Sequence, residues 1–275
     1  AGVSLAMGTG LVRSLISRAG LHRVSETRTQ MGTLVIVTIV APELSVAREM
    51  VRNAFGKMER LEGILSRHRR GTPLDRLNDQ GFIETPPPEL VEVMGRALAY
   101  SSMTDGAFDV TVAPLLELYA SHFEAGNRPP TDREIERALE SVDYRRVRVD
   151  ESAIVLEGSE MKVTLDGIAK GYIVDQTVRT LVDDGAERVL INAGGDMASG
   201  GHGSLESPWT VGVRDPSEAQ GMLAQLRLGG ECIATSGDYM QSFTQDRRFH
   251  HIIDPRTGYS PNQTSAVTVV TASAM

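Results

Sequence analysis

Four segments of this sequence combine glycine with groups that can bind or move charge. Thr164–Asp175 reads TLDGIAKGYIVD. Asp166 and Gly167 make a tight turn there, a helix is expected from near Ile168, and Lys170 falls in its first turn. Free N–H groups at a helix start and a nearby ammonium together favour an anion. A capped helix with a solvated lysine is the plainer reading of the same spacing. Asn192–Gly203, NAGGDMASGGHG, sets paired glycines after a strand, where backbone can approach a ligand closely. Its spacing is not that of the dinucleotide-binding G-x-G-x-x-G. Asp196 suits a cap or a ligand contact, and a flexible hairpin loop is the alternative for the whole segment. Ile233–Pro261 gathers Thr235, Ser236, Asp238, His250, His251, Asp254, Arg256 and Thr257. An imidazole with a carboxylate three residues on could carry acid–base chemistry near neutral pH. Adjacent histidines on an extended segment point to opposite faces, so one of the two can face a given site. In Thr104–Pro114, TDGAFDVTVAP, Asp109 is either a ligand contact or a turn-forming carboxylate.

These segments need a scaffold. Met31–Val40, MGTLVIVTIV, is rich in β-branched residues and bounded by Gly32 and Pro42, which predicts a buried strand. Ser45–Leu65 carries Val46, Met50, Phe55, Met58, Leu61 and Leu65 at helical spacing, with Ser45 as N-cap. Ser66–Asn78 reads as basic and irregular. Glu89–Met103 and the stretch after Pro114 read as helices, and Thr131 with Glu134 opens another with a capping box. Arg146–Leu156 and Met161–Leu165 alternate like the strands of a hairpin. After the helix from Ile168 to Leu181 come strands at Val189–Asn192, Trp209–Arg214, Leu223–Leu228, Cys232–Thr235 and Val267–Val270. Strands cluster in the second half and helices are interspersed in the first, which predicts an α+β fold with mostly antiparallel sheets.

Composition narrows the function. A net charge of −8 over 275 residues provides no overall field for a nucleic-acid backbone. The single cysteine, Cys232, excludes an intramolecular disulfide and a thiolate metal cluster. No apolar run reaches the roughly 20 residues of a membrane helix. Ala1–Leu11 is small, apolar and uncharged, and Arg13, Arg18, Arg23 and Arg28 follow. This resembles the end of the apolar part of an export signal. The expectation is therefore an export remnant or flexible arm over residues 1–29, one domain over 30–275, and a place in the periplasm or cell envelope. The arginines would suit an anionic membrane nearby.

In order, the sequence carries MGT at Met31, S-x-H-R at Ser66 and DRLN at Asp75, then GAFDVTVAPL, LDGIAKGYIVD, INAGGDMASGG, PWTVGVRDP, ATSGDY and HHIIDPRTGY. This set resembles the hallmark segments of the ApbE family, the FAD:protein FMN transferases, over about residues 30 to 275. The resemblance implies an α+β fold with FAD in a cleft between two sub-structures. Carried over by position, it implies that Met31, His68, Ala107, Phe108, Asp109, Thr164, Lys170 and Ile253 contact FAD. Family members often have tyrosine at the position of His68, proline at Val110 and an acidic residue at Thr164. The Gly167 carbonyl would bind Mg²⁺. His251 would be the general base, oriented by Asp254 unless Asp254 serves only its own turn. The family's side-chain metal ligands, an aspartate and a threonine four residues apart, follow the last strand, where this sequence stops at Met275. The expectation is a truncated end and weak metal binding. The reaction implied is attack of an acceptor threonine on the FMN-side phosphorus of FAD, with release of AMP. The acceptor would be an exported or membrane electron-transfer protein. Hydrolysis of FAD by water, and FAD binding without catalysis, are the alternatives.

Overall fold

The computed structural model describes residues 13–16, 20–217 and 221–275. Ala1–Leu11 and Arg18 lie outside the described residues. The chain begins with β1 (Arg13–Ile16), β2 (His22–Gln30), β3 (Thr33–Ala41) and α1 (Leu44–Leu65). It continues with α2 (Pro73–Gln80), β4 (Phe82–Glu84), α3 (Pro88–Met103), α4 (Ala113–Gly126) and α5 (Asp132–Leu139). β5 (Val147–Val149), β6 (Ala153–Leu156), α6 (Ala169–Asp183), β7 (Arg188–Ala193) and β8 (Asp196–Gly200) follow. The last elements are β9 (Trp209–Arg214), β10 (Met222–Leu228), β11 (Cys232–Gly237) and β12 (Ala266–Thr271). Among the described residues no helix is long and apolar enough to cross a membrane.

Seven strands form the main sheet in the order β1-β2-β3-β7-β8-β11-β12. Every strand pair is antiparallel, as expected from the sequence. Alternation along β3 sends Val35, Val37 and Ile39 to one face, where α1 covers them and α6 covers the neighbouring β7 and β8. α1 meets that face with Ala47, Met50, Val51, Ala54, Phe55, Met58, Leu61 and Leu65. At helical spacing these form one stripe, and burying each large side chain is worth about 1.5–3 kcal/mol. The opposite face is roofed at one end by the β9–β10 hairpin, through Val40, Trp209, Val211, Leu228 and Ile233. The small sheet β4-β6-β5 packs against α2 and α3 and shares the main core, while α4 and α5 bury a separate cluster around Leu115, Tyr119 and Ile135.

Several local expectations need correction. β2, inside the stretch read as an arm, pairs with β3 along its full nine residues, so a boundary at residue 30 would cut one hairpin. Two of the N-terminal arginines stack on the protein's own rings, Arg23 over Trp209 and Arg28 over Phe55. The basic stretch after Ser66 contains α2, capped by Thr72 with Pro73 in its first turn. Ser45 is not a cap, because α1 starts at Leu44 and Glu43 takes the N-cap position. Met161–Leu165 is extended but forms no strand. The Asn78 amide bonds both the N–H and the carbonyl of Val163, and Thr164 N–H donates to Val110, so no ladder forms. The hairpin is β5–β6 instead.

The C-terminal residues dock on α6. The Asp175 carboxylate accepts the Ser273 hydroxyl at 2.5 Å and the Ala274 N–H at 2.9 Å. Beside it, burial and the charge of Asp175 push the Cys232 thiol up to about 12, which leaves it inert as a nucleophile. A methyl group on Gly171 would overlap the Ala274 carbonyl. Replacing a helical glycine by alanine normally stabilises by about 0.5–1 kcal/mol. Here the sign should reverse: Gly171→Ala should cost about 1–3 kcal/mol through overpacking, measured by urea unfolding.

Candidate active site

One end of the main sheet is built from two adjacent two-residue turns. Gln30 pairs with Thr33 around Met31 (φ 52°) and Gly32 (φ 69°). Ala193 pairs with Asp196 around Gly194 (φ 65°) and Gly195 (φ 110°). Tight hairpins that match strand twist demand positive φ, which glycine adopts freely and methionine does not. Met31 is therefore held in a strained conformation, partly packed on the core. Thr33 occupies the space a side chain on Gly194 would need, so the two turns touch. The paired glycines after the strand thus form the turn of an ordered hairpin, β7–β8, rather than the flexible loop of the alternative reading.

The start of α6 is placed beside these turns. Ile168 and Ala169 N–H both donate to the Leu165 carbonyl, and Asp166 N–H donates to the Thr164 hydroxyl. Lys170 Nζ lies 3.2 Å from Asp196 of the Gly-Gly turn. On the other side, His68 Nε2 and Arg67 Nε lie 3.1 Å and 3.0 Å from Asp166. Burial pushes the Asp166 carboxyl upward, but the His68 hydrogen bond and the Arg67 charge outweigh it and hold the group well below the usual carboxylate range. The Phe108 ring lies against Gly167, with the exposed Ala107 next to it.

His251 comes from a loop clamped to α4 by aromatic stacking. Phe243 and Phe249 pack on Tyr119 and Phe123, with centroids 5.1 to 6.2 Å apart. Ile253 is buried in the same cluster. His251 Nδ1 lies 3.0 Å from the Gln241 carbonyl, so the proton sits on Nδ1 and the Nε2 lone pair is open. Burial, then the neighbouring His250 and Lys170, hold this imidazole below its ordinary value, against the pull of Gln241 and Asp166. His250 is buried: its Nε2 donates to Pro261 and its Nδ1 accepts from Ile252 N–H. Of the two histidines, His251 faces the site.

The structure thus brings Lys170, Gly167, Phe108, His68 and His251 together, with the Met31 turn alongside. It gives other expected residues different work. Asp109 is buried, accepts from Thr111 N–H and hydroxyl and from Tyr144 N–H, and its carboxyl is pushed up by burial. It caps a 3-10 turn, the turn-forming alternative. Thr164 is buried and caps the turn at Asp166. Asp254 does not orient His251, because its carboxylate is held by the Arg256 guanidinium at 2.8–2.9 Å. Arg67 and Asp166 were not proposed as ligand or catalytic residues from the sequence, whereas Asp196 was offered as a cap or a ligand contact and is paired with Lys170. The carboxylate inside the D-G turn was the available signal for Asp166.

The Mg²⁺ expectation rests on Gly167. No donor among the described residues bonds the Gly167 carbonyl, which leaves it available to a cation. One carbonyl is far from the near-octahedral oxygen shell of Mg²⁺. The nearby carboxylates are taken by Arg67, His68 and Lys170, and no group of three or more His, Cys, Asp or Glu converges among the described residues. These residues do not by themselves build a Mg²⁺ site.

A lysine at a helix start, a glycine turn and an imidazole with an open nitrogen, beside an aromatic ring, give this α+β fold a site that can hold an anion and move a proton. The chain belongs to the ApbE family: the family's sequence model matches residues 31–275. It is 31% identical to a FAD:protein FMN transferase of Vibrio cholerae, over 95% of this chain and 82% of that protein. It is 29% identical to one of Klebsiella pneumoniae, over 89% and 76%. The fold is similar to that of the ApbE protein from Thermotoga maritima, with TM-score 0.82, 30% identity and coverage of 92% and 82%. The flavin transferase ApbE from Vibrio cholerae superposes with TM-score 0.79 at 27% identity, covering 92% and 83%.

Lys170→Met should weaken binding of ADP, a probe of the pyrophosphate, by roughly tenfold or more in isothermal titration calorimetry, as expected for one lost charge-assisted hydrogen bond. Undiminished affinity would remove Lys170 from the phosphate contacts.

Proposed function

We propose that this protein transfers FMN from FAD to a threonine hydroxyl of an acceptor protein and releases AMP. The observation that carries the reading is the pairing of Lys170, at the start of α6, with His251, whose Nδ1 is tied to Gln241, whose Nε2 is open, and on whose imidazole the Lys170 charge bears. The names of the similar proteins supply the reaction class. The threonine oxygen attacks the FMN-side phosphorus, a P–O bond forms, and the pyrophosphate bond to AMP breaks. His251 takes the hydroxyl proton. The Lys170 ammonium, with the backbone N–H groups of Lys170 and Gly171, for which no acceptor lies among the described residues, offsets the charge that gathers on the phosphates. For that, Lys170 must exchange Asp196 for phosphate oxygens. Phe108 and the Met31 turn offer the flavin apolar surface. We place the acceptor among exported or membrane electron-transfer proteins, on the strength of the apolar Ala1–Leu11.

Intact mass spectrometry of a small acceptor domain, incubated with protein, FAD and Mg²⁺, tests the reading. The expected result is a gain of one FMN less water, slowed about 10²–10⁴-fold by His251→Ala. AMP release without that gain would identify hydrolysis instead. The pH dependence gives a second check. A base works when deprotonated, and burial lowers the His251 pKa from 6.5. The rate should therefore stay level as pH falls through 6.5 and drop only below it, and a drop centred above 6.5 would point to another base.

A further inference from the structure

At the opposite end of the sheet, two arginines share one indole. Arg23 of β2 and Arg188 of β7 both pair across Val40 of β3, so their side chains leave the same face of the sheet. The Arg188 guanidinium lies 4.1 Å from the Trp209 ring centroid and that of Arg23 5.2 Å. Among the described residues, no carboxylate lies within ion-pair distance of either arginine, although this chain is acidic overall. Adjacent Glu187 turns toward Gly203 instead. Trp209 is 5% exposed, and its indole N–H and the Arg188 Nε–H are both buried without an acceptor. Burial and the charge of Arg23 bear on Arg188, with no compensating anion.

Buried donors normally find acceptors. Here two unmatched N–H groups and two unpaired guanidinium groups surround one aromatic side chain. We propose that Arg23, Arg188 and Trp209 form a binding site for a phosphate group. A guanidinium fork matches phosphate oxygens in geometry as well as charge. The site is separate from the cleft, since Val40 lies seven residues along β3 from Thr33, roughly 23 Å at strand rise. The phosphate has two sources, a free phosphate or phosphate ester and the head group of an anionic lipid. Leu205, 84% exposed on the loop that also carries Gly203, is the apolar contact a lipid surface would use.

Trp209 is the sole tryptophan of the chain, so its fluorescence reports on this site directly. Titration with inorganic phosphate at constant ionic strength should give a saturable change, and Arg188→Gln should raise the half-saturation point about tenfold or more. Arg188→Lys, which keeps charge but not the fork, should fall between. Vesicles of phosphatidylglycerol and of phosphatidylcholine form the second arm. A response to phosphatidylglycerol alone, lost in Arg188→Gln, assigns the site to lipid head groups, and a response to phosphate without one to vesicles assigns it to free phosphate. Absence of both responses, or an equal response in Arg188→Gln, overturns the proposal. Far-UV circular dichroism and the urea unfolding midpoint should be unchanged in both variants, which separates loss of the site from loss of the fold.

Discussion

The placement of the first turn of α6 is the constraint on which the rest of the site depends. Lys170 has a useful position because that helix is fixed at both flanks. Ile168, Ala169, Tyr172, Ile173 and Val174 are buried in the main core, so the helix cannot rotate without exposing them. The Tyr172 hydroxyl donates to Glu92 at 2.9 Å, which ties the helix to α3. Asp175, one turn further on, receives the Ser273 hydroxyl and the Ala274 N–H. Taking a buried carboxylate away from its donors typically costs 1–3 kcal/mol or more per orphaned group. The helix start is thus positioned by packing and by hydrogen bonds at a distance from the chemistry.

The second constraint is charge. Each charged group of the cleft is paired within the protein: Lys170 with Asp196, and Asp166 with Arg67 and His68. These partners are partly exposed, where single ion pairs contribute about 0–1 kcal/mol, so exchanging one for a phosphate costs little. Such pairing holds long side chains in place before a ligand arrives and lowers the entropy lost on binding. The loop that carries His251 is anchored differently, by stacked aromatic rings and by the Tyr119 hydroxyl on the Gly258 carbonyl at 3.0 Å. Base and cation therefore sit on separately anchored pieces that meet at the cleft.

Much of this was legible in the sequence because it is local. The D-G turn before a helix, Thr131 with Glu134, and the apolar stripe of α1 each follow from spacing within a few residues. The antiparallel character was legible too, from the clustering of alternating segments. What was hidden depends on distant partners. Asn78 occupies the backbone of Val163 from 85 residues away, which turns an alternating segment into an isolated extended one. Asp254 stands three residues from His251, yet Arg256 holds it, and the Gln241 carbonyl takes the ring proton. β8 was obscured by its glycines, whose role in the two-residue turn shows once β7 and β8 are paired. The Thr72-Pro73 start of α2 was present in the sequence but masked by the arginines before it.

The most direct test of where the site lies is hydrogen exchange on the protein with and without FAD. Four segments apart in sequence should gain protection together: the Met31–Thr33 turn, Leu165–Lys170, Asn192–Asp196, and the loop from Gln241 to Ile253. Protection in those four, with little change in β9 and β10 on the far side of the sheet, is the result predicted here. Protection confined to other regions, or saturation by FAD with no change at Leu165–Lys170, would contradict the account.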